Sequence, residues 1–224
     1  MTLSGTHIPE PIILSRREAY PARQFDYLAD QYVPRPDWAP ASLPQRGGHL
    51  HLELGERLGR GRSAVVYAAR VIPADSDLPS SNPPLQELCI KIARPNRCRT
   101  LAREAWVYEQ LTEGSFQGVM TPRCFGLFTA SLSSDQPFPL WSTEDYKYVN
   151  ASDGADDDPT RDDTLPDDKP LQAEHINDPP GARELSPWVD WRPNPDAPLL
   201  AVLVMSRAGP KYSLDEDDRD ESHR

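Results

Sequence analysis

Cysteine is scarce in this chain of 224 residues, and long apolar runs are missing. The three cysteines include no C-x-x-C pair, which disfavours both a disulfide framework and a zinc site. The longest useful apolar run, LLAVLVM at 199–205, is far shorter than the ~20 residues of a membrane-spanning helix. The N-terminus also lacks the charged-then-apolar pattern of a secretory signal. We therefore expect an intracellular protein, cytoplasmic or nuclear, with no membrane partner.

Basic charge is scarce in two segments of the chain. Residues 142–196 hold fifteen acidic against five basic side chains, and residues 215–224 hold six against two. Apolar residues are few and prolines number 25, so part of the chain is expected not to pack. The composition predicts a disordered acidic insertion over 142–196 and an acidic tail over 215–224. Acidic segments repel nucleic acid, so no nucleic-acid partner is expected.

Five segments have the residue pattern of β-strands, and one has the pattern of an α-helix. HLHLELGERL alternates polar and apolar residues with the period of a half-buried strand. RTLAREAWVYEQLTEG has helical spacing, with Thr100 as its expected N-cap and Gly114 at its end. The other strands are expected in SAVVYAARVI, QELCIKIA, RCFGLFTASL and PLLAVLVMS.

These elements predict an α+β fold, a five-stranded antiparallel sheet with one main helix. The predicted domain spans 48–214 and is interrupted by the insertion at 142–196. Prolines interrupt residues 1–47 repeatedly, so this part is expected to be an irregular N-terminal arm with one short helix near 23–30.

The stretch LGRGRSAVV, residues 58–66, joins the first two predicted strands. Gly59 and Gly61 match the first two positions of a G-x-G-x-x-G-x-V phosphate loop, Ala64 replaces the third glycine, and Val66 falls at the last position. In a dinucleotide-binding fold such a loop leads into a helix, but here it leads into strand residues. On its own the match is weak, and a turn rich in glycine remains the alternative.

A lysine and a glutamate later in the chain favour the phosphate-loop interpretation of this stretch. Lys91 lies inside an apolar strand, 25 residues after Val66, where an unpaired ammonium would lose hydration. Glu104 lies on the apolar side of the following helix, together with Leu101 and Leu111. The alternatives are an exposed lysine on an edge strand and an ordinary surface glutamate. Glycine loop, strand lysine and helix glutamate in this order are jointly improbable by chance.

Together these motifs resemble the small N-terminal lobe of a protein kinase, and most of all the divergent kinase-like proteins of fungi. The resemblance covers roughly 49–141 and 197–214. It implies ATP as the cofactor, with Lys91 paired to Glu104 and holding the α- and β-phosphates. It also implies that Gly59 and Gly61, with Ala64 in the altered position, bring backbone amides close to the phosphates. Further residues are implied to surround the adenine: Leu58, Val66, Cys89, Met205, Ser206 and Ala208.

The second half of a kinase site is missing from the sequence, which contains neither H-R-D nor D-F-G. One hypothesis is therefore an incomplete kinase small lobe, inactive on its own, that binds ATP weakly or not at all and uses Mg²⁺ only when a second lobe is supplied. The other is a noncatalytic kinase-like interaction or regulatory module. In both, a protein partner is expected to cover the side where the fifth strand ends.

Overall fold

The computed structural model describes residues 1–6, 8–44, 48–73, 88–133, 163–194 and 196–207. The N-terminal part contains β1 (Thr2–Gly5), β2 (Ile8–Ile13), β3 (Ser15–Arg17), β4 (Gln24–Asp26) and β5 (Gln31–Val33). Next come β6 (His51–Arg60), β7 (Ala64–Val71), β8 (Leu88–Ala93), helix α1 (Cys98–Glu113), β9 (Cys124–Ser131) and β10 (Leu199–Ser206). Two short 3-10 turns, Pro166–Asp168 and Ala173–His175, lie before β10. No helix in these described ranges is long and apolar enough to cross a membrane.

The five strands expected from the sequence are present, but the expected five-stranded sheet is wrong. The main sheet has eight strands in the order β2-β1-β6-β7-β8-β10-β9-β3. Its five central strands, β6 to β10, are the ones predicted from the alternating segments, and they pair antiparallel with one another. The N-terminal residues add the other three strands, and β1 pairs parallel with β6, so the sheet is mixed.

The N-terminal arm closes much of the sheet into a half-barrel. Strands β2 and β3 lie at opposite edges of the sheet, yet only Leu14 separates them in the chain. Leu14 is buried and exchanges two backbone hydrogen bonds with Met1, at 2.8 and 2.9 Å. The two edges must therefore approach each other, which requires a curled sheet.

Proline explains why this arm was expected to be irregular. Pro9 and Pro11 lie in β2, an edge strand, and both are exposed, which is where a strand tolerates residues without an N–H group. The short helix expected near 23–30 is also wrong, because β4 and β5 form a hairpin there. The Asp26 carboxylate accepts hydrogen bonds from the Leu28 and Ala29 amides and so builds the turn.

Side-chain alternation separates two cores. Leu88, Ile90 and Ile92 of β8 point into the cluster enclosed by the curled sheet. Cys89 and Ala93 point to the other face, where they pack against the residues of α1. This division follows the alternation read from the sequence, and it places Lys91 on the face that the helix covers.

Both ends of α1 bear on the sequence prediction. Gly114 follows the last helical residue, as expected. The expected N-cap is wrong, because the helix begins at Cys98 and Thr100 lies within its first turn. Arg97 occupies the N-cap position and makes no side-chain capping hydrogen bond.

The second half of the acidic insertion is packed, which corrects the expectation of disorder there. Leu165 and Trp188 are buried against the α1 side of the sheet, and the Trp188 indole donates to the Glu18 carbonyl at 3.0 Å. Composition misled the prediction because this segment docks on an existing core and its acids meet arginines. The first half of the insertion, residues 142–162, the tail at 215–224 and Ala208 lie outside the described residues.

A cationic cleft beneath the glycine loop

The expected contact between Lys91 and Glu104 is confirmed. The Lys91 ammonium donates to both carboxylate oxygens of Glu104, at 2.6 and 2.7 Å. Both side chains keep about a quarter of their surface exposed, 25% for Lys91 and 28% for Glu104. The pair is therefore reachable from solvent and from a bound ligand, and its proposed role in holding phosphates stays a prediction.

The glycine loop lies beside this pair because of strand register. Gly59 of β6 is paired with Val66 of β7, and Val66 is paired with Lys91 of β8. Residues paired across neighbouring strands share a face of the sheet. The row therefore brings the first glycine of the loop, the valine of the motif and the lysine onto the face that carries α1.

The turn of the loop is held from below by Arg94. The Gly61 amide donates to the Ala64 carbonyl at 2.8 Å, which closes the turn. The buried Arg94 donates its backbone amide to the Ser63 carbonyl at 2.9 Å and its guanidinium to the Gly61 carbonyl at 3.2 Å. The loop is thus fixed on its inner side.

Loop and ion pair enclose an open cleft of about 550 Å³. Arg60, Arg62 and Lys91 contribute three positive charges, against one negative charge from Glu104. An excess of positive charge in a confined cleft concentrates anions. The residues lining the cleft are Leu58, Gly59, Arg60, Gly61, Arg62, Ser63, Ala64, Val66, Lys91 and Glu104.

The structure brings together the phosphate half of the predicted site, whereas Cys89, Met205 and Ser206 do not line this cleft. Cys89 and Met205 are buried neighbours on β8 and β10. Burial raises the pKa of the Cys89 thiol, so this side chain stays neutral and apolar in character. The Ser206 amide donates to the Arg123 carbonyl at 2.8 Å, and its carbonyl faces the Cys89 thiol at 3.6 Å.

Sequence reasoning missed Ser63 and Arg94. Ser63 follows the glycines directly, so a count of the loop residues could have included it. Arg94 comes immediately after β8, and its contact with the loop depends on the β7–β8 pairing that sets the two elements side by side. No local sequence signal predicts the contact between Arg94 and the loop.

The open space above Gly59 gives a prediction about the stability of the fold. A Cβ built on Gly59 meets no atom within 4 Å. We therefore expect Gly59→Ala to change the free energy of unfolding by less than about 1 kcal/mol, because an alanine in this strand meets no clash. Urea unfolding checks this expectation, and a loss well above that value would show that the loop needs glycine for its own conformation.

No family model matches this sequence, and neither the curated proteins nor the solved structures include a significant match.

Proposed function

We propose that the cleft binds the phosphate groups of a nucleotide, with ATP as the reference ligand, as the small lobe of a protein kinase does. The observation that supports this proposal is the Lys91–Glu104 ion pair directly beneath a hairpin glycine loop. Protein kinases use a strand lysine paired with a helix glutamate together with a glycine-rich loop over the phosphates.

Each part of the cleft has a plain physical task in this proposal. The ammonium of Lys91 is a compact charge that suits a point contact with phosphate oxygens. Glu104 holds that ammonium in place, and the Lys91 side chain as a whole remains about a quarter exposed. Arg60 and Arg62 add charge at the loop, and the open space above Gly59 lets a phosphate approach the backbone.

Binding is proposed here without catalysis by these residues. Phosphoryl transfer needs a base and metal ligands that position the reacting groups and neutralise their charge. Among the residues that the structure describes, Glu104 is the one carboxylate that lines the cleft, and it is already paired with Lys91. Within the described residues, no three His, Cys, Asp or Glu side chains lie close enough together to hold a metal ion. These residues do not fit a magnesium site, and no step through Mg²⁺ follows from them.

A titration series with ATP, ADP, AMP, adenosine and inorganic tripolyphosphate tests the proposal. We expect the affinity to fall with each phosphate removed, because the cleft offers cations and little adenine surface. ATP should bind more weakly than about 10 μM, which corresponds to roughly −7 kcal/mol. Adenosine binding as tightly as ATP, or no ATP binding up to about 10 mM, roughly −3 kcal/mol, would contradict it.

We also expect no phosphate transfer by this chain alone. Incubation with labelled ATP and generic protein substrates should leave the substrates unlabelled, since no free base or metal-ligand cluster is found in the cleft among the described residues. Transfer that is present in the wild type and lost in Lys91→Met would overturn this expectation. It would place a functional base elsewhere in the chain.

A further inference from the structure

The N-terminal half of α1 has a charge pattern that opposes its own position. Arg97, Arg99 and Arg103 lie at its start, its first turn holds no acid, and its N-cap residue makes no side-chain capping bond. The N-terminus of a helix carries partial positive charge, which disfavours cations there. The helix therefore depends on acids supplied from elsewhere in the chain.

Asp163 supplies the missing cap from a distant part of the sequence. Its carboxylate accepts from the Thr100 amide at 2.7 Å and from the Thr100 hydroxyl at 2.6 Å. It also lies 3.6 Å from the Arg97 guanidinium, and its side chain is fully buried. A carboxylate in this position satisfies a free amide and complements the helix dipole.

Asp167 and Asp168 bind two arginines in the same N-terminal half of the helix. The Asp168 carboxylate accepts from Arg99 at 2.6 and 2.9 Å, and the Asp167 carboxylate accepts from Arg103 at 3.0 Å on each oxygen. Arg183 links the two acids, donating to Asp167 at 2.9 Å and to Asp168 at 2.6 Å. Bidentate arginine–carboxylate pairs fix orientation as well as distance.

Tyr20 completes this cluster. Its buried ring lies 4.7 Å from the Arg103 guanidinium, 5.3 Å from that of Arg99 and 5.4 Å from that of Arg183. Its carbonyl accepts from Arg103 at 2.8 Å, and its amide donates to the Ala102 carbonyl at 3.0 Å. The N-terminal arm and the acidic segment thus both contact the same turns of α1.

These contacts bear directly on Glu104. Thr100 and Glu104 are four residues apart and therefore lie one above the other on the same flank of the helix. Arg103 precedes Glu104 by one residue, about 100° around the helix, and is held by Asp167. A helix held at Thr100 and at Arg103 can neither rotate nor slide without breaking some of these contacts.

We propose that Asp163, Asp167 and Asp168 are positioning residues that hold α1 in the orientation in which Glu104 meets Lys91. The inference concerns the ion pair itself, and its consequence for ATP rests on the proposed function. The acidic segment is then a built-in clamp on the cleft rather than a linker between strands. Loss of the clamp should weaken the Lys91–Glu104 contact while the sheet remains folded.

The test uses the full chain with ¹⁵N-labelled lysine and observes the side-chain ammonium signals by NMR. The Lys91 signal is assigned by its loss in Lys91→Met. The test variants are Asp168→Asn and the milder Thr100→Val, which removes only the hydroxyl contact with Asp163. The matched control is Asp178→Asn, in the same segment, because the Asp178 carboxylate pairs with His175 at 2.7 Å and with no residue of α1 in the described part of the chain.

We expect hydrogen exchange of the Lys91 ammonium to rise by about tenfold in Asp168→Asn, by a smaller factor in Thr100→Val and by less than about twofold in Asp178→Asn, a tenfold change being 1.4 kcal/mol. Circular dichroism establishes that each variant is folded. If Asp168→Asn does not fold, Thr100→Val decides the question. An unchanged Lys91 signal in a folded test variant overturns the clamp.

ATP titration of the same samples separates this inference from the proposed function. Weaker ATP binding in Asp168→Asn than in Asp178→Asn is the expected accompaniment. A wild type that does not bind ATP would refute the proposed function, while a changed Lys91 signal would still support the clamp. ATP binding by the wild type together with an unchanged Lys91 signal in the variants would support the proposed function and refute the clamp.

Discussion

Asp167→Asn is expected to lower the free energy of unfolding by about 3 kcal/mol, because it removes the buried carboxylate that pairs with both Arg103 and Arg183. The Asp167 side chain is 2% exposed and pairs with Arg103 and Arg183. It also accepts from the Arg23 amide at 3.0 Å. Asparagine has nearly the same shape, so the loss reports the charge and the hydrogen bonds and not a cavity.

Glu53→Gln is the matched control for this prediction. Glu53 pairs with Arg70 across β6 and β7 at 2.6 Å, but their side chains are 33% and 69% exposed. An exposed pair of this kind contributes at most about 1 kcal/mol. Urea unfolding of the two variants at neutral pH makes the comparison. Equal losses would mean that the buried cluster contributes no more than a surface pair.

The same residue predicts how stability depends on pH. Burial alone would raise the pKa of Asp167, but the hydrogen bond and charge of Arg103, the Arg23 amide and the charge of Arg183 outweigh it and hold the pKa below 3.8. The unfolded chain therefore binds the proton more readily than the folded chain does. The stabilisation is complete above the ordinary pKa and is lost as the pH falls through the folded value. The difference between wild type and Asp167→Asn should accordingly shrink in acid below pH ~4.

Lys91→Met is expected to weaken ATP binding by at least about tenfold, which is 1.4 kcal/mol or more. The substitution keeps an unbranched side chain of similar length and removes the ammonium that faces the cleft. It also leaves Glu104 unpaired among the cleft residues, so a repulsive carboxylate faces the phosphates. Calorimetric titration with ATP at about 0.1 M ionic strength, where distant charges are screened, measures the effect.

Lys169→Met is the control for the loss of one positive charge. Lys169 is exposed in the acidic segment and does not line the cleft. Its substitution should change ATP affinity by less than about twofold, since charges farther apart than a Debye length of ~10 Å are screened. Equal losses in the two variants would show that ATP responds to overall charge and not to the cleft.

Local sequence patterns predicted most of the central elements of the fold. Alternation predicted the five strands β6 to β10, and the change to helical spacing predicted α1. The same alternation placed Lys91 opposite Leu88 and Ile90, on the helix face. These sequence periods predict both the Lys91–Glu104 contact and the part of the cleft formed by the glycine loop. They do so because the contacting residues come from neighbouring elements of the chain.

What the sequence did not reveal depends on distant partners. Pro9 and Pro11 argued against a strand, and only the edge position of β2 makes them compatible with one. Asp163, Asp167 and Asp168 looked like solvated acids because their arginines lie 60 or more residues away, or come from a later turn of the same segment. The cap of α1 was missed for the same reason, since it comes from Asp163 and not from the residues before the helix.

Lysine ammonium NMR of the wild-type chain with added ATP tests the central claim most directly. The chain has four lysines, and of the two that the structure describes, Lys91 and Lys169, it is Lys91 that lines the cleft. The account predicts that ATP shifts the Lys91 signal progressively and saturably, that tripolyphosphate shifts it in the same direction, and that adenosine does not. An unmoved Lys91 signal at ATP concentrations that saturate binding would contradict the account, because the nucleotide would then bind elsewhere on the protein.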